Sequence, residues 1–212
     1  MKIERQNKAA KFWDKVAANY DKEERKDQKI YDQILQKTKI QLKPSDTVLD
    51  FGCGTGFISI EIASSVSIVH AIDLSGKMIE FAKLKATTVK LPNIEYRQIT
   101  IFDNKLSKGA FDIILAFYIL HLVEDIPVVI QRIKELLKPG GIFISATPCM
   151  GEKPLLNSLF SISAKIGILP EIRSFKRYEL EQLLTAANLE IAESEKLATT
   201  SNQYLIMAQN NR

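Results

Sequence analysis

The chain has 212 residues, 46% hydrophobic and 25% charged, close to the average of soluble globular proteins and enough for one domain with a sizeable core. That composition excludes a disordered tail and a collagen-like repeat, and two cysteines (Cys53 and Cys149) make neither a disulfide framework nor a metal cluster. The net charge of +4 comes entirely from residues 1–43, which hold 12 Lys/Arg against 7 Asp/Glu, while the remaining residues hold 17 against 18.

Residues 1–43 read as an N-terminal helical arm of a single domain covering 1–212. Its charges alternate in sign (DKEERKDQK), which favours a solvated helix face over an arm built to bind nucleic acid or an anionic membrane. Its start, MKIERQNKAAKFWDK, is too charged for a secretory signal, and no apolar run approaches the roughly 20 residues that span a bilayer. A cytoplasmic enzyme or binding domain is the expectation.

From Thr47 strand and helix alternate. TVLDF (47–51) is a buried strand ending in glycine, 57–65 is helical, and SIVHAID (67–73) is a second apolar strand. An amphipathic helix over 76–88 leads to a third strand at IEYRQI (94–99). FDIILAFYI (111–119) is apolar enough to be covered on both faces. A helix over 127–138 is expected to stop at Pro139-Gly140-Gly141 before a fifth strand, GIFISATP (141–148). Repeated βαβ units imply a parallel sheet with right-handed crossovers. After a variable segment at 149–175 comes a helix over 176–187. Strands at 189–197 and 203–209 follow, five residues apart, too close for a parallel crossover, so they form an antiparallel hairpin at the sheet edge.

The most informative stretch is Val48-Leu49-Asp50-Phe51-Gly52-Cys53-Gly54-Thr55-Gly56. Three of nine glycines fall within one strand-to-helix loop, at the carboxyl end of a strand, where open α/β sheets bind ligands. The spacing is G-x-G-x-G, with Phe57 where the dinucleotide fingerprint places its last glycine. Asp50 precedes the loop. A carboxylate about 4 Å from a phosphate is repelled by about 4 kcal/mol at an effective dielectric of about 20, and attracts an ammonium by a similar amount. The loop therefore suits a ligand with a cationic amino-acid end better than a diphosphate, which disfavours an NAD-dependent oxidoreductase. Asp73 ends the neighbouring strand, placed to take both hydroxyls of a ribose. Asp103 reads either as an acid for an adenine amino group or as an ordinary loop acid.

VLDFGCGTG, AIDLSGKMIEFAK, TIFD, FDIILAFYILHLVED and LKPGGIFISATP together resemble the S-adenosylmethionine-dependent methyltransferases with a Rossmann-like fold, small-molecule type. The likeness spans about residues 12–209. It implies an α/β fold with a seven-stranded sheet of order 3-2-1-4-5-7-6, strand 7 antiparallel, and helices on both faces. It also implies S-adenosyl-L-methionine as cofactor. By that resemblance Asp50 and the loop Gly52-Cys53-Gly54 with Gly56 hold the methionine portion, Asp73 the ribose, and Leu74 with Met78 the adenine face. Phe102 and Asp103 meet the adenine edge, and Ala116 and Phe117 flank the sulfonium. FWDKVAANYD (12–21) resembles the leading helix that folds over the cofactor, with Phe12, Trp13 and Tyr20 as its aromatic face toward the substrate; ordinary packing on the domain is the other reading.

Methyl transfer from a sulfonium is an in-line displacement that needs alignment more than a catalytic group. A hydroxyl or ammonium nucleophile still loses a proton, so a base helps. His121 in ILHLVED is the first candidate and Tyr20 the second, although a histidine at that point also suits a helix cap. His70 reads as a core residue, and neither cysteine has a base nearby to make it a nucleophile. LLNSLFSISAKIGIL (155–169) fits an apolar wall for a small hydrophobic substrate, a membrane-surface contact, or a helix packed on the sheet. Arg173, Lys176 and Arg177 form a basic group that could meet an anionic substrate. The fourth strand ends in Ala116-Phe117-Tyr118 without the Asn/Asp-Pro-Pro-aromatic signature of nucleic-acid amino-methylating enzymes, and pI ≈ 8.9 is only mildly basic. The leading expectation is O- or C-methylation of a small, partly apolar molecule. The alternatives are an RNA or protein methyltransferase and a non-catalytic S-adenosylmethionine-binding domain. No cluster has convincing metal-ligand spacing.

Overall fold

The structure, a computed structural model, describes residues 2–24, 28–152, 172–198 and 201–211. The 155–169 stretch and most of the variable segment lie outside the described residues. Two compact units are present, Met1–Leu106 and Ser107–Arg212.

In the first unit, helices α1 (Lys2–Glu24) and α2 (Gln28–Gln41) precede β1 (Thr47–Phe51), α3 (Phe57–Ala63), β2 (Ile68–Asp73), α4 (Gly76–Thr88) and β3 (Ile94–Gln98). The strands pair in parallel, with Asp50 beside Ala71 and Asp73 beside Gln98. Val48, Leu49, Val69 and Ala71 are wholly enclosed, as expected for parallel strands covered on both faces. α4 turns Met78, Ile79, Ala82 and Ala86 inward, a 3-4 spacing that makes one apolar stripe. Ser75 caps it, accepting the Met78 N–H at 3.0 Å.

The second unit holds β4 (Phe111–Phe117), α5 (Ile126–Leu136), β5 (Leu137–Pro148), a helix here called α6 (Arg177–Ala186), β6 (Leu189–Lys196) and β7 (Gln203–Asn210). β4 and β5 are parallel, whereas β7 runs antiparallel to both β5 and β6. The strand order is β3-β2-β1-β4-β5-β7-β6, the doubly wound arrangement and terminal hairpin expected. α5 buries Ile126, Val129, Ile130, Ile133 and Leu136, with its N-terminus capped by Asp125.

One boundary differs from expectation. α5 ends at Leu136, before the Pro-Gly-Gly, because Leu137 already pairs with Phe111. The next matched pair is Ile113 with Ile142, so residues 138–141 bulge out of β5 rather than stop the helix. Gly140 takes φ 77° there, and the Asn210 side-chain amide donates to the Leu137 and Lys138 carbonyls at 3.3 and 3.1 Å. A Cβ at Gly141 would lie 2.9 Å from the Lys138 carbonyl oxygen and 3.0 Å from that of Asp112. Gly141→Ala is therefore expected to cost about 1–3 kcal/mol in urea unfolding, as overpacking does; an unchanged midpoint would show that the bulge has room to spare.

Candidate functional site

The loop between β1 and α3 is built around a ladder of three consecutive N–H groups. Gly52 and Cys53 both donate to the Ile72 carbonyl, at 2.9 and 3.0 Å, and Gly54 donates to Asp73 Oδ2 at 3.0 Å. To make these turns Gly52, Gly54 and Gly56 all take left-handed backbone, φ 75°, 53° and 79°, where any Cβ is strained. At Gly56 the space is closed too: a Cβ would meet the Tyr96 hydroxyl at 2.6 Å and the Ala82 Cβ at 2.9 Å. Asp73 Oδ1 accepts the Ser75 N–H at 2.8 Å, so each of its oxygens holds one backbone donor. The Leu74 N–H adds a third backbone donor to the same carboxylate, which leaves only part of its about four lone-pair sites for other partners. Burial pushes the Asp73 carboxyl up, and the Ser75 and Gly54 donors pull it back.

Asp50 departs from expectation. It lies beneath the loop rather than on its surface: only 2% of it is exposed, and its Oδ2 accepts the Ser59 hydroxyl of α3 at 2.5 Å. The cause is its place in a strand covered on both sides.

α1 lies on this loop through two residue pairs seven apart, close to two helical turns and so on one face. Trp13 and Tyr20 stack edge to face at 6.0 Å, with Phe12 against Trp13 at 5.1 Å. Tyr20 Cε1 comes within 3.3 Å of where a Gly54 Cβ would sit. One residue on in each case is an aspartate. Asp14 accepts the Ser75 hydroxyl at 2.6 Å and the Lys77 N–H at 3.0 Å, at the positive end of α4. Asp21 accepts the Thr55 hydroxyl and pairs with Lys85 Nζ at 2.8 Å. The helix is thus tied to the glycine loop at Thr55 and to the turn after Asp73 at Ser75.

In the second unit, β4 runs out into Tyr118, whose φ of 55° is left-handed. A tight turn at Leu120–Leu122 carries His121, and the His121 carbonyl accepts the Arg173 N–H at 2.7 Å. Two residues from the sequence reading therefore meet, though through their backbones. His121 Nδ1 is buried with no hydrogen-bond partner among the described residues, and burial lowers the imidazole to about 4. The helix cap suggested for His121 is not made by it: Asp125 fills that role. Ala116 and Phe117 are both buried. Arg177 stacks at 5.8 Å on Tyr204 and pairs with Glu181 at 3.4 Å, while Lys176 lies 5.9 Å from the Tyr178 ring and begins α6. The basic group is thereby partly spent on the fold. Burial drives the Cys149 thiol up to about 12 and the Cys53 thiol well above its ordinary value, which removes both as nucleophiles.

A family model described as "Methyltransferase domain" matches residues 42–211. The chain belongs to the methyltransferase-domain family. A ubiquinone biosynthesis O-methyltransferase of Haemophilus ducreyi is 38% identical over 147 residues, covering 67% of this chain and 60% of that protein. A demethylmenaquinone methyltransferase of Lactococcus lactis subsp. lactis is 29% identical over 141 residues, 63% of this chain and 56% of that one. The methyltransferase-family chain spans about half to two thirds of the length of such relatives. Among solved structures, the geranyl diphosphate C-methyltransferase from Streptomyces coelicolor A3(2) superposes with a TM-score of 0.70 at 19% identity, covering 84% of this chain and 77% of that one. The family and the fold inferred from the residues are both borne out.

In this methyltransferase-family chain the first unit brings Gly52, Cys53, Gly54, Gly56 and Asp73 together, with Leu74 next to Asp73 and its carbonyl accepting from Gln98 at 3.1 Å. Met78 is 2% exposed and sits in the packed interior. Phe102 is 47% exposed, and its N–H already donates to the Thr100 hydroxyl at 3.2 Å. Asp103 closes its own turn by accepting the Lys105 N–H at 2.9 Å, which supports the loop-acid reading while leaving its second oxygen. Sequence reasoning missed Asp14 and Asp21, although their heptad spacing stands in the quoted FWDKVAANYD. Among the described residues no group of three or more His, Cys, Asp or Glu could hold a metal, and no helix is long and apolar enough to cross a membrane. The Ser75 and Lys77 hydrogen bonds hold the Asp14 carboxyl below its ordinary value. Its contribution is thus present above about pH 4 and lost as the pH falls through its folded value. Asp14→Ala is expected to lower the urea midpoint at pH 7, with the gap to wild type closing on acidification toward pH 3. A gap that stays constant would mean the carboxylate charge is idle.

Proposed function

We propose that this chain is an S-adenosylmethionine-dependent methyltransferase acting on a small, partly apolar molecule, at oxygen or carbon. The observation that carries the reading is the left-handed glycine loop whose Gly54 N–H is held by the Asp73 carboxylate. Gly52, Gly54 and Gly56 leave backbone room for the methionine portion, and Asp73, at the end of β2 beside the loop, takes the ribose hydroxyls with its remaining acceptor capacity. Leu74, Phe102 and Asp103 serve the adenine. Asp50, through its buried charge, favours the cationic end. Ala116 and Phe117 serve the sulfonium side. When bound, the cofactor supplies an activated methyl group; the chain's own residues position the acceptor and take its proton.

Support for the substrate class comes from the similar proteins, named as a ubiquinone biosynthesis O-methyltransferase, a demethylmenaquinone methyltransferase and a geranyl diphosphate C-methyltransferase. Phenols and quinols carrying a short prenyl chain are therefore the first acceptors to test. His121 is the base in this reading. Burial keeps its imidazole unprotonated above about pH 5, with a ring nitrogen able to accept a hydrogen bond from an acceptor hydroxyl, while making it a weaker base. α1 is the lid, with Phe12, Trp13 and Tyr20 facing the acceptor, and Arg173 serves an anionic group on it.

Asp73→Ala should weaken S-adenosylmethionine binding by about 10- to 100-fold in calorimetry, the loss expected for hydrogen bonds to a charged group; unchanged affinity removes Asp73 from the ribose. His121→Gln should cut turnover of a prenylated catechol at least about 100-fold with cofactor affinity intact, and the wild-type rate should not fall between pH 7 and 5.5 through this histidine. Full turnover in the variant rejects the base.

A further inference from the structure

A histidine that acts as a base usually has its second ring nitrogen held by a carboxylate or carbonyl, which fixes tautomer and orientation. Among the described residues His121 has no such partner: its Nδ1 is buried with no hydrogen bond to any of them. Its orientation has to come from the backbone that carries it and the packing around it. That backbone is under constraint. Tyr118, three residues upstream, is a bulky residue in left-handed conformation (φ 55°). Such strain persists only where the surroundings over-determine it, and it collects at functional sites.

Here the surroundings do so from two directions. The Tyr118 N–H donates to the Ala146 carbonyl of β5 at 2.8 Å, and its hydroxyl donates to Gln203 Oε1 at 2.7 Å. Gln203 is itself held by the sheet on both sides. It opens β7 in register with Pro148 of β5, and its carbonyl accepts the Leu197 N–H at 2.9 Å. Beyond Tyr118 the chain closes at once, Leu122 N–H donating to the Ile119 carbonyl at 2.9 Å, with Leu120 fully buried. The strained residue is therefore pinned to the β5–β7 ladder at one end and delivers the His121 turn at the other.

We propose that the Tyr118–Gln203 hydrogen bond is a positioning device for His121, replacing the usual side-chain partner of a catalytic histidine with a strained, doubly anchored turn. The proposal rests on the reading of His121 as the base, and its test separates the two. Tyr118→Phe keeps the ring and removes only the hydroxyl; Gln203→Ala removes the acceptor from the other side and serves if the first variant folds poorly. The chain has two histidines, so Cε1-labelled imidazole signals can be assigned with His121→Gln and titrated in the full-length protein without any substrate.

In either variant the His121 titration is expected to move up by about one unit as the turn relaxes toward water. Turnover of a prenylated catechol should fall about 10- to 100-fold, as small misplacements do, at unchanged S-adenosylmethionine affinity. The double variant should be no worse than the poorer single one. A wild-type His121 titration in both single variants overturns the proposal, as does full additivity in the double. If the titration moves but His121→Gln turns over normally, the positioning stands and the base assignment falls.

Discussion

The site depends on one contact, the Gly54 N–H donated to the Asp73 carboxylate. It joins the loop after β1 to the end of β2, alongside Gly52 and Cys53, two and one residues earlier, which both donate to the Ile72 carbonyl. Three successive donors aimed at one neighbouring strand end force the left-handed turns, and those turns force glycine. The same bond partly stabilises an enclosed carboxylate that burial alone would push toward its neutral form. A largely enclosed anion beside a loop of bare backbone suits a cationic ligand better than a polyanionic one.

The acidic character of this region does not lie where the strand pattern placed it. Asp50, buried and bonded to Ser59, acts at most through the field behind the loop. The carboxylates that shape the surface are Asp73 and the two on α1. Asp14 and Asp21 tie the helix to the turn after β2 and to the loop after β1, the two segments proposed to grip opposite ends of the cofactor nucleoside. Any ligand that orders those segments is thereby coupled to the seating of α1, and such coupling is reciprocal by linkage.

Much of this was legible in the chain. The parallel strands wrote themselves as unbroken apolar runs, the terminal hairpin as two strands too close for a crossover, and the loop as three glycines after an apolar strand. What was not legible shares a physical cause. The Pro-Gly-Gly looked like a helix stop because composition cannot tell a helix end from a strand bulge; the Leu137–Phe111 pairing decides it. The roles of Asp14 and Asp21 depend on which face of α1 meets which turn, and heptad spacing shows that they share a face without showing its partner. Tyr118 carries no signal of its left-handed backbone, since nothing about a tyrosine announces φ 55°. Its meaning comes from Gln203, 85 residues away.

The central claim is that the loop and Asp73 discriminate by charge, and competition calorimetry on the full-length protein tests it most directly. S-adenosylmethionine and NAD are titrated separately at one ionic strength, then NAD into the protein already saturated with S-adenosylmethionine. The account predicts tight binding of the sulfonium nucleoside, at least tenfold weaker binding of the dinucleotide, and no displacement of the first by the second. Preferential binding of NAD would contradict it.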